Sequence, residues 1–176
     1  AHHATRGDGS AARAELVALH QRLDSTFVYV THDQVEAMTM GSHVAVMSRG
    51  RIEQVGTPQE VYARPASVFV AQFIGTPPMN VLPPGVVERS ELMVGIRPEH
   101  VLIGEPGQVR ARVTLVEHLG HETLVHLRIG ESPLVARVEA LPGEAGVPTV
   151  GADVGVAFPA AHLHRFDPAT HERVDG

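Results

Sequence analysis

The spacing of apolar residues changes near residue 78. Before this point apolar residues stand three or four positions apart or form short unbroken runs, which is typical of helices and of strands buried on both faces. From Leu92 onward apolar and polar residues alternate, as they do in strands with one solvent-exposed face. We therefore predict an α+β fold with an α/β part at residues 11–78, an all-β domain at residues 79–176, and a tag-like or disordered N-terminus at residues 1–10.

The first part opens with a predicted helix and two predicted strands. A helix from Ser10 to about Leu23 is expected because its apolar residues share one face. The unbroken apolar runs at 27–31 and 43–48 predict central strands of a parallel sheet, and the second run also forms a predicted hairpin with 51–55. The neighbours of such central strands are missing, so we expect residues 1–60 to pair with another chain or to be poorly ordered.

Three capping positions predict further helices. They are Asp33 with Glu36, Thr57 with Glu60, and Ser67. Phe69 and Phe73, four residues apart, are expected to stack on the last of these helices. Proline-rich segments at 76–78 and 83–85 then frame a linker.

The second part is predicted to contain only strands, separated by glycine and proline turns. Short strands of this kind are typical of a small barrel or sandwich. The predicted strands are 92–96, 101–103, 109–117, 122–129, 134–139 and 154–158.

Composition excludes several classes of chemistry. The formal net charge of −6 and the absence of a basic run argue against nucleic-acid binding. The chain contains neither cysteine nor lysine, which excludes thiolate metal sites, cysteine nucleophiles and any phosphate-binding lysine. No apolar stretch approaches the ~20 residues that span a bilayer, so we expect a soluble, cytoplasmic chain without direct membrane insertion.

Several motifs, taken in order, resemble one family. Residues 31–37 resemble the switch-histidine loop of ABC ATPases, and residues 50–62 are similar to the C-terminal subdomain of their nucleotide-binding domain. Residues 69–75 and 78–80 resemble the exit from that domain in sugar importers. Residues 95–100 resemble a loop of the appended TOBE regulatory domain, which is of the OB type.

This resemblance implies a truncated nucleotide-binding domain followed by an OB-type (TOBE) domain. The group that it suggests is the ATP-binding subunits of maltose, multiple-sugar and glycerol-phosphate importers. In such a complete subunit ATP and Mg²⁺ are the implied cofactors. Transmembrane permease subunits and a second copy of the chain, forming a homodimer, are the implied partners, at the inner face of the cell membrane.

Departures from the family pattern decide what this chain is expected to do alone. The glycine-rich phosphate loop with its lysine, the Ser-Gly-Gly-Gln signature, the Asp-Glu pair for magnesium and the glutamine loop are all missing from the sequence. The interval between Leu82 and Gly95 is also shorter than in the family, which predicts an incomplete barrel. We therefore expect no cofactor, no ATP binding and no hydrolysis for this chain alone.

His32 is the predicted catalytic residue, functional only in a complete subunit. The resemblance implies that its imidazole contacts the γ-phosphate and the attacking water, and phosphoryl transfer depends mainly on such positioning and charge stabilisation. The alternative is a surface histidine at a strand–helix junction. Asp33 and Glu36 are interpreted as helix-capping carboxylates rather than catalytic ones.

Several other side chains are candidate ligands for a metal ion or an anion. Zinc needs three or four convergent ligands. His162 and His164 would share one face of a strand, but no third ligand is visible in the sequence, so the histidines are interpreted as exposed turn residues. Arg97 either binds an anion or pairs with Glu99 or a strand-end carbonyl, and both readings stay open. Met38 and Met40 are interpreted as core or interface residues. The histidines considered are His118, His121, His126, His162 and His164.

Two other functions compete with a transport ATPase fragment. One is a stand-alone regulatory or dimerisation module that binds an anion or a partner protein through its β-domain. The other is a small histidine-metal hydrolase, which requires stoichiometric zinc.

Overall fold

The computed structural model describes residues 26–104, 106–139 and 146–174. In these residues three short helices and a two-stranded hairpin precede a β-rich region, which confirms the predicted α+β class. The helix predicted at 10–23 and the N-terminus at 1–10 lie outside the described residues. The domain boundary after residue 78 stays a prediction.

The first part comprises a hairpin and three helices. Their bounds are α1 Gln34–Met40, β1 Val44–Ser48, β2 Arg51–Gly56, α2 Pro58–Ala63 and α3 Val68–Phe73. Strands β1 and β2 pair antiparallel and form a sheet of their own. The predicted hairpin is therefore confirmed, whereas the prediction that 43–48 is a central parallel strand is wrong.

The helix caps follow the sequence closely. Thr57 and Glu60 form the complete capping box of α2, and the Ser67 side chain accepts the Val70 amide at the start of α3. Phe69 and Phe73 stack with ring centroids 5.6 Å apart, as predicted. Local side-chain spacing is sufficient to set these features.

The run at 27–31 is not a strand. It is extended but pairs with no strand of the described residues, and Val28 and Val30 are 91% and 89% exposed. An unbroken apolar run of this kind favours burial on both faces of a sheet. No sheet covers this run in the described structure, so the predicted central parallel strand is wrong here.

The β-rich region consists of two sheets. The order in the smaller sheet is β10-β4-β3 and in the larger β5-β9-β6-β7-β8, all antiparallel. The strands are β3 Asn80–Leu82, β4 Met93–Ile96, β5 Leu102–Ile103, β6 Val109–His118, β7 Thr123–Ile129, β8 Ser132–Val138, β9 Asp153–Ala157 and β10 His164–Phe166. All six predicted strands are present, while β3 and β10 were missed because each has only three residues.

One core lies between the two sheets. Leu82 and Ile96 of the smaller sheet pack with buried residues of the larger sheet, including Val125, Leu127 and Phe158. A separate small cluster, centred on Val46, Val61 and Val70, lies between the β1–β2 hairpin and the helices. The β-rich region thus has the larger and more continuous core.

A side chain, rather than a strand ladder, joins the edges of the two sheets. The Asn80 amide donates to the Val135 carbonyl at 2.8 Å and to the Ile96 carbonyl at 3.2 Å, and its Oδ1 accepts the Val135 amide at 2.8 Å. This carboxamide therefore replaces a peptide group between β3 and β8. The barrel is closed at this point by one asparagine and not by continuous strand pairing, in line with the predicted incomplete barrel.

Candidate functional site

The predicted switch loop lies directly before helix α1. Asp33 caps this helix, because its carboxylate accepts the amides of Val35 and Glu36. Glu36 does not return to the Asp33 amide, so the capping box is only half formed. Its carboxylate instead accepts the Thr31 hydroxyl at 2.7 Å and the Tyr29 hydroxyl at 3.2 Å. The capping interpretation is therefore confirmed for Asp33, whereas Glu36 binds two hydroxyls of the preceding segment and does not complete the box.

The loop is tied to the end of helix α3. Gln34 Oε1 accepts the amide of Gly75 at 3.0 Å. His32 itself is exposed, and it lies on a groove of about 660 Å³. The groove is lined mainly by residues 26–34 and 40–47, with Phe73 and Ile74 at one side.

The groove has little positive charge. Its ionisable lining residues are two histidines and two carboxylates: His32, His43, Asp33 and Glu36. A nucleoside triphosphate needs several convergent donors or cations for its phosphates. The described part of the groove therefore supplies one imidazole at the predicted position and does not fit a triphosphate by itself. The role of His32 stays a prediction.

Arg97 occupies the junction between the two parts of the molecule. It is 1% exposed, although it follows strand β4 in a loop. Its guanidinium donates to the carbonyls of Ala71, at 3.1 Å, and of Ile74, near the end of helix α3, and to the carbonyl of Tyr62 at 2.9 Å. These are helix carbonyls that lack intrahelical partners, and a cation is favoured at this end of a helix. Arg97 is therefore structural rather than anion-binding, but its partners are helix-end carbonyls and not the Glu99 carboxylate or the strand-end carbonyl that was expected.

The same junction contains an aromatic and a carboxylate. The Arg97 guanidinium lies 3.9 Å from the centroid of the Tyr62 ring, and the Tyr62 hydroxyl donates to Glu99 at 2.5 Å. Burial, and then this hydrogen bond, raise the pKa of Tyr62. Burial alone would raise the pKa of Glu99, but the Tyr62 hydroxyl and nearby cations outweigh it, so the net pKa is lowered. Glu99 is thus held ionised as the acceptor.

Glycine is required where this loop meets helix α3. Gly75 has φ +114°, and a Cβ at this position would lie 2.9 Å from Nη1 of Arg97. Any side chain would displace the guanidinium from the helix carbonyls. Tyr62 and Gly75 belong to the motifs at 50–62 and 69–75, but their contact with Arg97 is not visible in the sequence, and only the fold brings these residues together.

The remaining histidines fall into two groups. His118 and His121 are exposed near a turn, while His126 pairs with Glu117 at 2.5 Å. His162 lies in a 3-10 turn at 160–162 and His164 in β10, so the prediction that they share one strand face is wrong. His126 and His164 are partly buried strand residues, so their interpretation as exposed turn residues is wrong as well. His162 stacks on His100 with centroids 3.7 Å apart. Within the residues described, no three His, Asp or Glu side chains are arranged to hold a metal ion.

Met38 packs against the small core cluster, and Met40 lines the groove. This agrees with their interpretation as core or interface residues. In the described ranges no helix is both long and apolar enough to cross a membrane.

Comparison with known proteins places this arrangement in a family. The TOBE domain family matches residues 94–166. An uncharacterised ABC transporter ATP-binding protein, y4oS of Sinorhizobium fredii, is 43% identical over an alignment of 192 positions that covers 93% of this chain and 49% of that protein. The sn-glycerol-3-phosphate import ATP-binding proteins UgpC of Ruegeria pomeroyi and Bordetella avium are 44% and 39% identical. They match 92% and 94% of this chain, and 50% and 52% of their own lengths.

The chain spans about half the length of the curated relatives that it matches. The match includes the motifs at 31–37, 50–62 and 69–75 as well as the TOBE domain. The chain therefore belongs to the family of ABC importer ATP-binding subunits: it corresponds to their C-terminal part and includes a TOBE domain.

Proposed function

We propose that this chain is the C-terminal part of the ATP-binding subunit of a carbohydrate or glycerol-phosphate ABC importer. We also propose that it neither binds nor hydrolyses ATP alone. The identity of about 40% to glycerol-phosphate import proteins supports the transport assignment. The observation that carries the second statement is the groove beside His32. Among the described residues, its lining contains two carboxylates and no guanidinium.

In the complete subunit, ATP and Mg²⁺ supply the phosphoryl group and the charge that neutralises it. The contribution of this chain is the position of one imidazole. Asp33 fixes the start of α1, and Gln34 ties the loop to Gly75, so the backbone that directly follows His32 is held in place. His32 is proposed as the switch histidine of that subunit.

A nucleotide titration tests this proposal. A fluorescent ATP analogue with excess Mg²⁺ is added to the purified chain, and unlabelled ATP is used as competitor. We expect no saturable, competable binding up to millimolar nucleotide, because the groove provides too few donors for the phosphates. Competable binding with a Kd below about 100 μM would contradict it.

Partners and location follow from the same assignment. Transmembrane permease subunits and a second copy of the chain are the proposed partners, which places the subunit at the cytoplasmic face of the membrane. Sedimentation velocity of the purified chain over a hundredfold concentration range tests the homodimer. A single monomeric species throughout would contradict self-association by this chain.

A second candidate is the stand-alone regulatory or dimerisation module. The continuous core of the β-rich region, which needs no residue of the hairpin, favours it. Anion binding through Arg97 is not part of this candidate, because helix carbonyls already occupy that guanidinium. Titration with sulfate or phosphate should therefore leave the resonances of the Arg97 loop unchanged.

A further inference from the structure

The two parts of the molecule meet at a buried apolar cluster of Val68, Ala71, Met79 and Phe166. Beside this cluster, hydrogen bonds join the two parts along a seam with two segments. The first is the Arg97 loop, which contacts the carbonyls of Tyr62, Ala71 and Ile74. The second is the C-terminal segment 171–174. Its backbone bonds run from Val68 N to His171 O at 2.9 Å and from Arg173 N to Ala66 O at 2.8 Å. Each segment has one histidine beside it: His100 in the Arg97 loop, and His164 next to Arg173 of the C-terminal segment.

His164 supports the C-terminal segment in its neutral form. Arg173 Nη1 lies 2.9 Å from His164 Nδ1. A guanidinium can only donate a hydrogen bond, so Nδ1 must accept and cannot carry a proton. Protonation of His164 at Nδ1 would replace this hydrogen bond with two opposed cations.

His100 supports the Arg97 loop in the same protonation state. Its Nδ1 is buried and has no hydrogen-bond partner in the described structure. In the neutral ring this atom can be an unprotonated acceptor, whereas in the imidazolium both nitrogens are donors. Protonation would therefore bury a charged N–H without an acceptor, which is costly. It would also charge a ring that lies 3.7 Å from the ring of His162.

The surroundings of the two histidines are mainly cationic. Glu99 is the one carboxylate among the charged groups that face the pair in the described residues, and it already accepts the Tyr62 hydroxyl. Strand β8, which packs on the turn at 98–100, adds another guanidinium near Glu99. The cationic or ionisable groups that face the pair are Arg97, Arg137, His162 and Arg173.

We infer that His164 and His100 form an acid-sensitive lock that holds the β-rich region to the helices only while both rings are neutral. On acidification the hydrogen bond from Arg173 to His164 is lost and the Arg97 loop gains an uncompensated charge. Both segments of the seam are then weakened together, while the barrel core contains neither histidine. The lock does not depend on nucleotide binding.

The direction of the pH dependence follows from the shifts. Burial, followed by Arg173, lowers the pKa of His164 to about 4, and burial followed by His162 lowers the pKa of His100. The closed form therefore binds fewer protons than the open form. The seam is stable above the ordinary histidine pKa of 6.5 and loses stability as the pH falls from 6.5 toward about 4.

Amide hydrogen exchange at several pH values tests the lock. After correction for intrinsic rates, the amides of Val68 and Arg173 should open on the order of tenfold more often at pH 5 than at pH 7. The amides of Val125 and Val135 in the barrel serve as the internal reference and should change less. Equal acceleration at both places would overturn the inference.

Variants separate the histidines from the carboxylates that also titrate in acid. His164→Gln keeps an acceptor for Arg173 and cannot be protonated, so the pH dependence of seam opening should become flatter. His100→Gln should act in the same direction. His121→Gln, in an exposed turn outside the seam, is the matched control and should behave as the wild type.

A measurement on the unaltered chain covers the case in which a variant does not fold. In an NMR titration the ring protons of His164 and His100 should shift at a pH below the ordinary histidine pKa of 6.5. Titration of the His164 and His100 rings at the ordinary histidine pKa would overturn the inference. So would an unchanged pH dependence in a folded His164→Gln variant.

Discussion

The two regions of this molecule bury their apolar residues to different extents. In the β-rich region, two sheets enclose one cluster in which residues such as Val125, Ala136 and Val156 are fully buried. In the first region the cluster is smaller, and apolar side chains such as Met47 and Ile52 remain more than half exposed. Among the described residues, the larger continuous core therefore lies in the β-rich region, and we expect the helices and hairpin to rely more on the contacts between the two regions.

The largest expected effect comes from Arg97. Replacing Arg97 with Met leaves three helix carbonyls without their charged donor, and we expect a loss of about 3 kcal/mol in the free energy of unfolding. Urea unfolding measures it. Arg112→Met removes an exposed ion pair with Asp153 and should cost no more than about 0.5 kcal/mol. Equal losses in the two variants would contradict the seam as the support of the first region.

The second largest loss of stability is expected at Asn80, which links the edges of the two sheets. Asn80→Asp presents a carboxylate to the carbonyls of Val135 and Ile96, and should destabilise by about 2 kcal/mol at neutral pH. The deficit relative to the wild type should shrink in acid, as the carboxyl becomes protonated and can donate. Asn80→Ala, which cannot titrate, is the control. A pH-independent deficit in the Asp variant would argue against these two contacts.

A matched pair of core variants compares the two regions directly. Val125→Ala and Val46→Ala remove the same atoms from positions that are 0% and 2% exposed, at a cost of about 1.5 kcal/mol each. The first should lower protection from hydrogen exchange throughout the barrel. The second should lower it only in the hairpin and helices. A global effect of Val46→Ala would indicate that the regions unfold as one unit.

The smallest expected effect is local. Thr57→Ala removes the capping box of helix α2 and should cost about 1 kcal/mol, seen as faster exchange of the Glu60 amide. Thr39→Ala, in the exposed last turn of helix α1, provides the control, because this hydroxyl donates to carbonyls of its own helix. Its effect should stay within about 0.5 kcal/mol. A Thr57 variant with unchanged Glu60 exchange would show that tertiary contacts alone hold α2.

The sequence determined the local structure of this protein. Thr57 with Glu60, Ser67 with Val70, and Phe69 with Phe73 each act within one helical turn, so their spacing was sufficient. The alternation of apolar residues predicted the long strands for the same reason. The order of short motifs also indicated the family, which the similarity to known importer subunits confirmed.

The tertiary structure decided which of these residues face one another. The apolar run at 27–31 resembled a buried strand, but burial depends on a neighbouring sheet that a local pattern cannot report. Tyr62 meets Arg97 across 35 positions and Glu99 across 37, and Asn80 meets Val135 across 55. Hydrogen bonds and charges act over a few ångströms in space, whatever the separation along the chain, so only the fold could assign their partners.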